Sequence, residues 1–185
     1  MPCGCRELEA KYSQTECKCA RYREKFPDCI CERESVSIHS PGPVADDEIL
    51  VRSIFTEQQL DEEGRVKPAH FRQEPSTRGL SIDRVNRTQV ESLKSSKRKD
   101  ARYEGHLKFA AARSSDIRNL KNDDGTRLFC IYDTATDENH AHADICQNVI
   151  LQAGSDNRKN RMMEIAWQLR SVFSIPLPEP LTSIS

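Results

Sequence analysis

The sequence lacks long apolar stretches. Nothing in it approaches the ~18 consecutive apolar residues of a membrane span. Met1 is followed by cysteines and charged residues, where a signal peptide needs ~7–15 apolar residues. We therefore expect no contact with a membrane and a cytoplasmic location. Hydrophobic residues make up only 36% of the 185 residues and charged residues 31%, so we expect a modest core and a heavily solvated surface.

Sequence signatures of several enzyme classes are also missing. The chain contains no glycine-rich phosphate loop, no nucleophile elbow and no dinucleotide-binding fingerprint. Its net charge of −1 gives no overall attraction to nucleic acid or membranes. The charge is nevertheless uneven, because residues 46–63 are mainly acidic and residues 84–121 mainly basic. The run Lys94–Arg102 is a candidate contact for a polyanion, although two oppositely charged solvated faces would give the same pattern.

Cysteine, in contrast, is concentrated near the N-terminus. Six of the eight cysteines lie in residues 1–39, the arm, and form three Cys-x-Cys doublets: Cys3/Cys5, Cys17/Cys19 and Cys29/Cys31. Cytosolic thiols stay reduced and Zn²⁺ prefers four nitrogen or sulfur ligands, so we predict that these six cysteines bind structural zinc. Binding would fold a segment that has few large aliphatic residues. Disulfides, free thiols and an iron–sulfur centre are the alternatives, and His39 is a candidate extra ligand.

Composition divides the remaining chain into three parts. The Ser-Pro-Gly-Pro run that starts at Ser40 predicts a linker over residues 40–46, and three prolines near the C-terminus predict a flexible tail over residues 175–185. Residues 47–174 are expected to form one α+β domain with a small mixed or antiparallel sheet. Its predicted strands are 48–55, 79–85, 106–113, 128–132 and 142–151. Cys130 and Cys146 lie in two of these strands, where we expect small buried side chains.

Helices are predicted at three places in the same domain. Short helices are expected over residues 88–96 and 115–120. The clearest element is a C-terminal amphipathic helix, because Met162, Ala166, Leu169 and Phe173 recur at helical spacing. Its N-terminal cap is expected at residue 155 or 156.

The most polar of the predicted strands lies within residues 138–148. If it is extended, one face holds His140, His142, Asp144, Cys146 and Asn148. Two imidazoles two residues apart can hold a divalent ion or act as general acid and base. A sheet with one solvated face would also place polar residues in this alternation.

Other candidate site residues come from distant segments. Arg52 interrupts an apolar strand, so its guanidinium is expected to reach a carboxylate or an anionic ligand. A buried structural ion pair is the alternative. Asp83 shares a strand face with Ser81, and His106 follows a glycine. We predict that one catalytic or ligand-binding cleft is formed by Arg52, Asp83, His106 and His142.

Five short motifs occur in order in residues 46–173: Asp47-Glu48-Ile49-Leu50-Val51-Arg52, a segment ending at Phe71, Leu80-Ser81-Ile82-Asp83, Gly105-His106 and Asn139-His140-Ala141-His142-Ala143. In this order they resemble a widespread, poorly characterised family of small bacterial proteins. That family has hydroxyl residues before the phenylalanine and a proline in its last motif. Here Pro68-Ala69-His70 replaces the hydroxyls and His140 replaces the proline. The resemblance therefore assigns the matching histidine to His142 and does not favour a hydroxyl nucleophile.

These observations predict a small intracellular bacterial protein with a zinc-binding type of arm and an α+β domain. If the domain is an enzyme, Arg52 and the basic segment suit a hydrolase or transferase that acts on a phosphate-containing substrate. The alternative is a non-catalytic adaptor within a multi-gene bacterial system. Its cysteine-rich arm would dock a protein partner, and Lys94–Arg102 would contact nucleic acid.

Overall fold

The computed structural model describes residues 4–13, 15, 17–72, 74–149 and 157–183. Two short helices lie in the arm: α1 (Cys5–Tyr12) and α2 (Lys18–Lys25). The elements that follow, in chain order, are β1 (Ile49–Ile54), β2 (Leu80–Arg84), α3 (Val90–Arg98), β3 (Lys108–Arg113), α4 (Ser114–Arg118), β4 (Phe129–Tyr132), β5 (His142–Gln147) and α5 (Asn157–Val172). No helix within these residues is long and apolar enough to cross a bilayer.

The five strands form one antiparallel sheet in the order β3-β1-β2-β5-β4. The predicted α+β class and the approximate positions of the five strands are therefore confirmed. Nearly every strand residue is buried, so both faces of the sheet are covered. Because side chains alternate along a strand, each strand residue packs on one of two covered faces.

The first face holds the main hydrophobic core. Strand residues such as Leu50, Ile82 and Ile145 pack with Ile165 and Leu169 of α5. The predicted C-terminal helix is thus confirmed, and it buries its apolar side against the sheet. The residues expected to cap this helix, 155 and 156, lie outside the described part of the chain.

The opposite face is covered by two separate elements. Helix α3 covers β3 and β1, where Leu93 packs with Val51 and Phe109. The arm covers β5 and β4, where Tyr22 of α2 stacks on Tyr132 with ring centroids 4.0 Å apart. The middle of this face, formed by β2 and β5, therefore lies between α3 and the arm.

The cysteines of the arm form disulfides in the structure, which differs from the predicted arrangement around a shared ion. Cys5 bonds to Cys31 within the arm, whereas two further pairs join the arm to the sheet: Cys19–Cys146 and Cys29–Cys130. Cys17 is outside these pairs, and Cys3 lies outside the described residues. No group of three or more His, Cys, Asp or Glu side chains in the described ranges is placed to hold a metal ion.

Local geometry explains why the doublet cysteines do not act together. The prediction assumed extended segments, but Cys17 and Cys19 lie at the start of α2, and Cys29 and Cys31 lie in a 3₁₀ turn. Helical residues two apart point to different sides, so the two sulfurs of a doublet reach different partners. The strand cysteines are buried as expected, but they are disulfide partners of the arm, which the sequence did not indicate.

The linker and part of the tail both contact the sheet. Arg84 is fully buried and donates from Nε and Nη2 to the carboxylate of Glu48, at 2.7 and 2.6 Å. It also donates to the linker carbonyl of Gly42 at 2.7 Å. Near the C-terminus, Leu177 exchanges two backbone hydrogen bonds with Phe109 of β3. Segments on either side of the α+β domain are therefore tied to it by polar contacts.

Candidate functional site

Four polar residues occupy the middle of the second face, between α3 and the arm. Strand pairing places Asp83 opposite His142 and Ser81 opposite Asp144, on β2 and β5. This is not a solvated sheet face, because only 2% of Asp83 and 4% of Asp144 are exposed. Ser81 and His142 are partly exposed. Solvent therefore reaches the serine and the histidine, whereas the two carboxylates are buried.

The hydroxyl of Ser81 is hydrogen-bonded to the imidazole of His142, with Oγ and Nε2 2.9 Å apart. The other ring nitrogen, Nδ1, lies 3.1 Å from the carbonyl oxygen of Thr134 and 2.9 Å from its Oγ1. A carbonyl oxygen only accepts hydrogen bonds, so Nδ1 carries the proton in the neutral imidazole. Nε2 is then the acceptor, and Ser81 Oγ donates to it.

A buried carboxylate completes this chain of hydrogen bonds. Thr134 Oγ1 donates to Asp144 Oδ2 at 2.7 Å, since an ionised carboxylate only accepts. The direction of every bond is thereby assigned, from Ser81 to His142, from His142 to Thr134 and from Thr134 to Asp144. A nucleophile, a base and a group that orients the base occur in this order in hydrolase triads. Here a threonine hydroxyl connects Nδ1 of the base to the carboxylate, and Nε2 itself lies 3.9 Å from Asp144 Oδ1.

The arm supplies the positive charge that keeps Asp144 ionised. Nζ of Lys18 lies 2.6 Å from Asp144 Oδ2 and 3.4 Å from Glu9 Oε1. Burial is the largest influence on the pKa of Asp144 and acts to raise it, but the charges of Lys18 and His142 and the hydrogen bonds from Lys18 and Thr134 together hold this pKa below its usual value. Burial likewise acts to lower the pKa of Lys18, and the two carboxylates raise it above its usual value. The hydroxyl of Tyr22 donates to Glu9 at 2.8 Å, so the polar chain runs from the arm to Ser81.

Gly79 allows the backbone to pass close to Asp144 just before β2. Its φ of +99° is a conformation that residues with a side chain rarely adopt. A Cβ added at this position would lie 2.8 Å from the Cβ of Asp144. Glycine therefore permits the close approach that sets Ser81, two residues later, beside His142.

Asp83 has both carboxylate oxygens engaged. Oδ1 accepts from Asn139 Nδ2 at 2.7 Å, and Oδ2 forms an ion pair with Nζ of Lys97 at 2.7 Å. Asn139 belongs to the segment before β5, and Lys97 belongs to α3. Asp83 thus connects both segments to β2, next to His142, and it acts as a structural anchor for the site.

Arg52 lies on the other face of the sheet. It shares its side of β1 with Leu50 and Ile54, which belong to the main core. Its Nη2 donates to Glu74 Oε2 at 2.7 Å, and its Nη1 donates to the main-chain oxygen of Ser81 at 2.8 Å. Burial lowers the pKa of Arg52. Arg52 therefore reaches a carboxylate, as expected, and supports the backbone of Ser81 from behind.

His106 is placed apart from the other three predicted residues. Its Nδ1 lies 3.8 Å from Glu57 Oε1, and its buried Nε2 has no hydrogen-bond partner in the described part of the chain. No described contact joins it to His142. The structure therefore brings Asp83 and His142 together, sets Arg52 behind β2 and leaves His106 outside this group.

Two hydroxyls next to His142 were missed by sequence reasoning. The sequence indicates that Ser81 shares a face with Asp83, but the pairing of Ser81 with His142 depends on the register of β2 and β5. Thr134 lies in the loop before β5, where no periodic pattern marks it. The polar face of β5 holds fewer residues than predicted, because the strand begins at His142. His140 lies before the strand, with its ring centroid 6.2 Å from that of His39.

The basic run Lys94–Arg102 is partly neutralised within the chain. Three of its cations form ion pairs: Lys94 with Glu91 and Glu179, Lys97 with Asp83, and Arg102 with Asp100. Arg98 and Lys99 are exposed and form no ion pair with any described residue. Two unpaired cations therefore remain at the C-terminal end of α3.

Comparisons of the chain with protein-family models, with curated proteins and with solved structures found no match. The resemblance to a bacterial family therefore stays a prediction. Since a fold class does not identify an activity, the function must be inferred from the geometry around Ser81 and His142.

Proposed function

We propose that the protein is a hydrolase or transferase in which Ser81 is the nucleophile and His142 is the general base, and that its substrate is an anionic ester of the phosphate type. The supporting observation is the 2.9 Å hydrogen bond from Ser81 Oγ to His142 Nε2, in a tautomer that leaves Nε2 unprotonated. A serine hydroxyl is a weak nucleophile until an adjacent base takes its proton. Both side chains are partly exposed to solvent.

In the proposed reaction Ser81 Oγ attacks the phosphorus atom while its proton moves to His142 Nε2. The bond from phosphorus to the leaving oxygen breaks, and this oxygen takes the proton from His142. Water, or an acceptor hydroxyl in a transferase, then attacks the phosphoserine, and His142 accepts the proton of the attacking group. Ser81 is released as the second phosphorus–oxygen bond breaks and is reprotonated by His142. Thr134 and Asp144 hold the ring in place and stabilise the imidazolium.

Two exposed positive charges on α3 favour an anionic substrate. Lys97 is neutralised by Asp83, 2.7 Å away, and Asp83 is the cross-strand neighbour of His142, so this ion pair holds α3 against β2. Arg98 and Lys99 follow Lys97, are exposed and form no ion pair with a described residue. Lysine and arginine stabilise the charge that develops on a transferring phosphoryl group. Arg98 and Lys99 also belong to the predicted polyanion contact, so a phosphodiester would fit both observations.

Covalent labelling tests Ser81 directly, because the reagent takes the place of the unidentified substrate. A fluorophosphonate reagent reacts with a serine that a neighbouring base activates, and peptide mass spectrometry locates the adduct. We expect labelling of the wild type at Ser81 and its loss in S81A and H142Q. S53A is a matched control, because Ser53 lies on the same face of the neighbouring strand and its buried Oγ has no hydrogen-bond partner among the described residues. Labelling of S53A should equal that of the wild type.

Hydrolysis of nitrophenyl esters then tests the substrate class. We expect turnover of a nitrophenyl phosphate mono- or diester, with a loss of roughly 10²–10⁴-fold in H142Q, which is the usual contribution of a general base. Faster turnover of nitrophenyl acetate would contradict the phosphate assignment. An unlabelled wild type that is folded by circular dichroism, or an S81A protein that keeps its label, would overturn the catalytic assignment and favour the adaptor alternative.

A further inference from the structure

A cavity of about 560 Å³ lies between the arm, the linker and α4, beside the outer edge of β4. This volume is typical of sites that bind small molecules. None of the four residues in the hydrogen-bonded chain from Ser81 to Asp144 lines it. Its charged lining consists of four cations and two carboxylates: Arg33, Arg118, Lys121 and Arg127, with Glu32 and Asp46. The cavity therefore has an excess of two positive charges.

The two carboxylates are occupied by two of the cations. Glu32, only 6% exposed, accepts from Arg127 Nη1 at 2.8 Å and lies 3.5 Å from Arg118 Nε. It also accepts the backbone N–H of Ile131, on the free edge of β4. Asp46 forms an ion pair with Arg118 at 2.7 Å. Glu32 and Asp46 thus neutralise Arg118 and Arg127, and they hold the cavity wall against the sheet.

Two cations in the cavity lack an acceptor in the part of the chain that is described. Arg33 and Lys121 are exposed and form no ion pair with a described residue. Arg33 belongs to the arm and Lys121 to the turn that follows α4, so two distant segments bring free positive charges to the same cavity.

We infer that this cavity binds a phosphate dianion, either free or as the phosphomonoester of a small molecule, through Arg33 and Lys121. A phosphomonoester carries a charge of about −1.5 to −2 near pH 7, which matches the excess of two positive charges. Guanidinium groups fit the oxygens of phosphate well. No histidine or cysteine lines the cavity, so the inference is of binding and not of a second reaction.

Calorimetric titration of the full-length S81A protein keeps this test independent of the proposed reaction. The probes are inorganic phosphate, phosphoserine and the monoanion acetate. We expect saturable binding of at least one of the two phosphates and none of acetate. R33Q/K121Q should weaken phosphate binding at least tenfold, which corresponds to about 1.4 kcal/mol. Both substituted side chains are exposed, so the variant is expected to fold, and circular dichroism checks this.

R158Q/K159Q is the matched control, because it removes one arginine and one lysine from the exposed surface of α5. Unchanged binding in this control, together with the tenfold loss in R33Q/K121Q, supports the site. Tighter binding of phosphoserine than of phosphate identifies a phosphomonoester, and equal binding identifies free phosphate. An equal loss in both double variants would show only a long-range effect of charge and would overturn the site. So would the absence of saturable binding of either phosphate.

Discussion

The Cys19–Cys146 disulfide provides a direct test of how the arm is attached to the sheet. It joins α2 to β5 over a sequence separation of 127 residues, whereas Cys5–Cys31 spans 26 residues within the arm. In the chain-entropy model a cross-link changes the entropy of the unfolded chain by about −2.1 − 1.5R ln n cal/mol/K, where n is the loop length. At 25 °C this relation gives about 3.5 kcal/mol for a loop of 26 residues, and about 5 kcal/mol for a loop of 127 residues in a chain with no other cross-link.

Cys29–Cys130 is retained in C19A/C146A, so the loop that this variant opens runs only from residue 19 to 29 and from residue 130 to 146, about 26 residues. We therefore expect C19A/C146A and C5A/C31A each to lower the free energy of unfolding by about 3.5 kcal/mol. Urea unfolding of the oxidised proteins measures both changes, and with a slope of about 2–3 kcal/mol/M each midpoint should fall by about 1–2 M. Equal midpoints for the wild type and C19A/C146A would refute this reasoning, and so would a clearly larger effect of C5A/C31A.

Alkylation of the denatured, unreduced protein provides the control on the covalent state. The structure predicts reaction at Cys17 and none at the six paired cysteines. If all these thiols react and the purified protein contains stoichiometric zinc, the arm binds metal, as the sequence predicts. The unfolding experiment would then be repeated with a chelator in place of the double variants.

Two further predictions concern single buried positions. Gly79→Ala should destabilise the fold by about 2–3 kcal/mol, because the added Cβ would clash with Asp144 and the φ of this position is unfavourable for alanine. Gly64→Ala is the control, because φ is +76° there but the space around the added Cβ is open, so it should cost only about 1 kcal/mol. Equal urea midpoints for the two variants would contradict this prediction. Burial raises the pKa of Asp133 to about 6, although Arg84 Nη1 lies 3.4 Å away. The folded state then binds this proton more strongly than the unfolded state, so Asp133 lowers stability as the pH rises from about 4 to 6. The free energy of unfolding of Asp133→Asn, relative to that of the wild type, should increase by up to about 3 kcal/mol between about pH 4 and pH 7. A difference in stability between the two proteins that does not change with pH would count against a raised pKa.

The sequence predicts the sheet and the C-terminal helix because both depend on local periodicity. Leu80 and Ile82 alternate with polar residues, and Ala166 and Leu169 recur at helical spacing, so each element shows its buried side within a few residues. Disulfide pairing has no such local pattern. Cys130 and Cys146 find partners 101 and 127 residues away, and their apolar neighbours are those of any buried strand residue.

The site was predicted in part for the same physical reason. Asp83 and His142 each lie on the polar face of a strand, which alternation reveals, and the two strands happen to be neighbours. The hydrogen bond from Ser81 to His142 joins residues 61 apart in the sequence. It exists only because β2 and β5 pair in one register, and a shift of one residue would turn Ser81 to the other face. The position of His106, in contrast, could not be predicted, because a preceding glycine does not indicate which part of the sheet a residue will approach.

The arm and the site form one electrostatic unit. Lys18 and Cys19 are consecutive in α2, and they reach two residues on the same face of β5, Asp144 and Cys146. One helix therefore provides both the cation that keeps Asp144 ionised and the covalent bond that holds this cation in place. A buried carboxylate without its cation is strongly unfavourable, so detachment of the arm would favour protonation of Asp144. Protonated Asp144 would be a weaker acceptor for Thr134, and the orientation of His142 would lose its support.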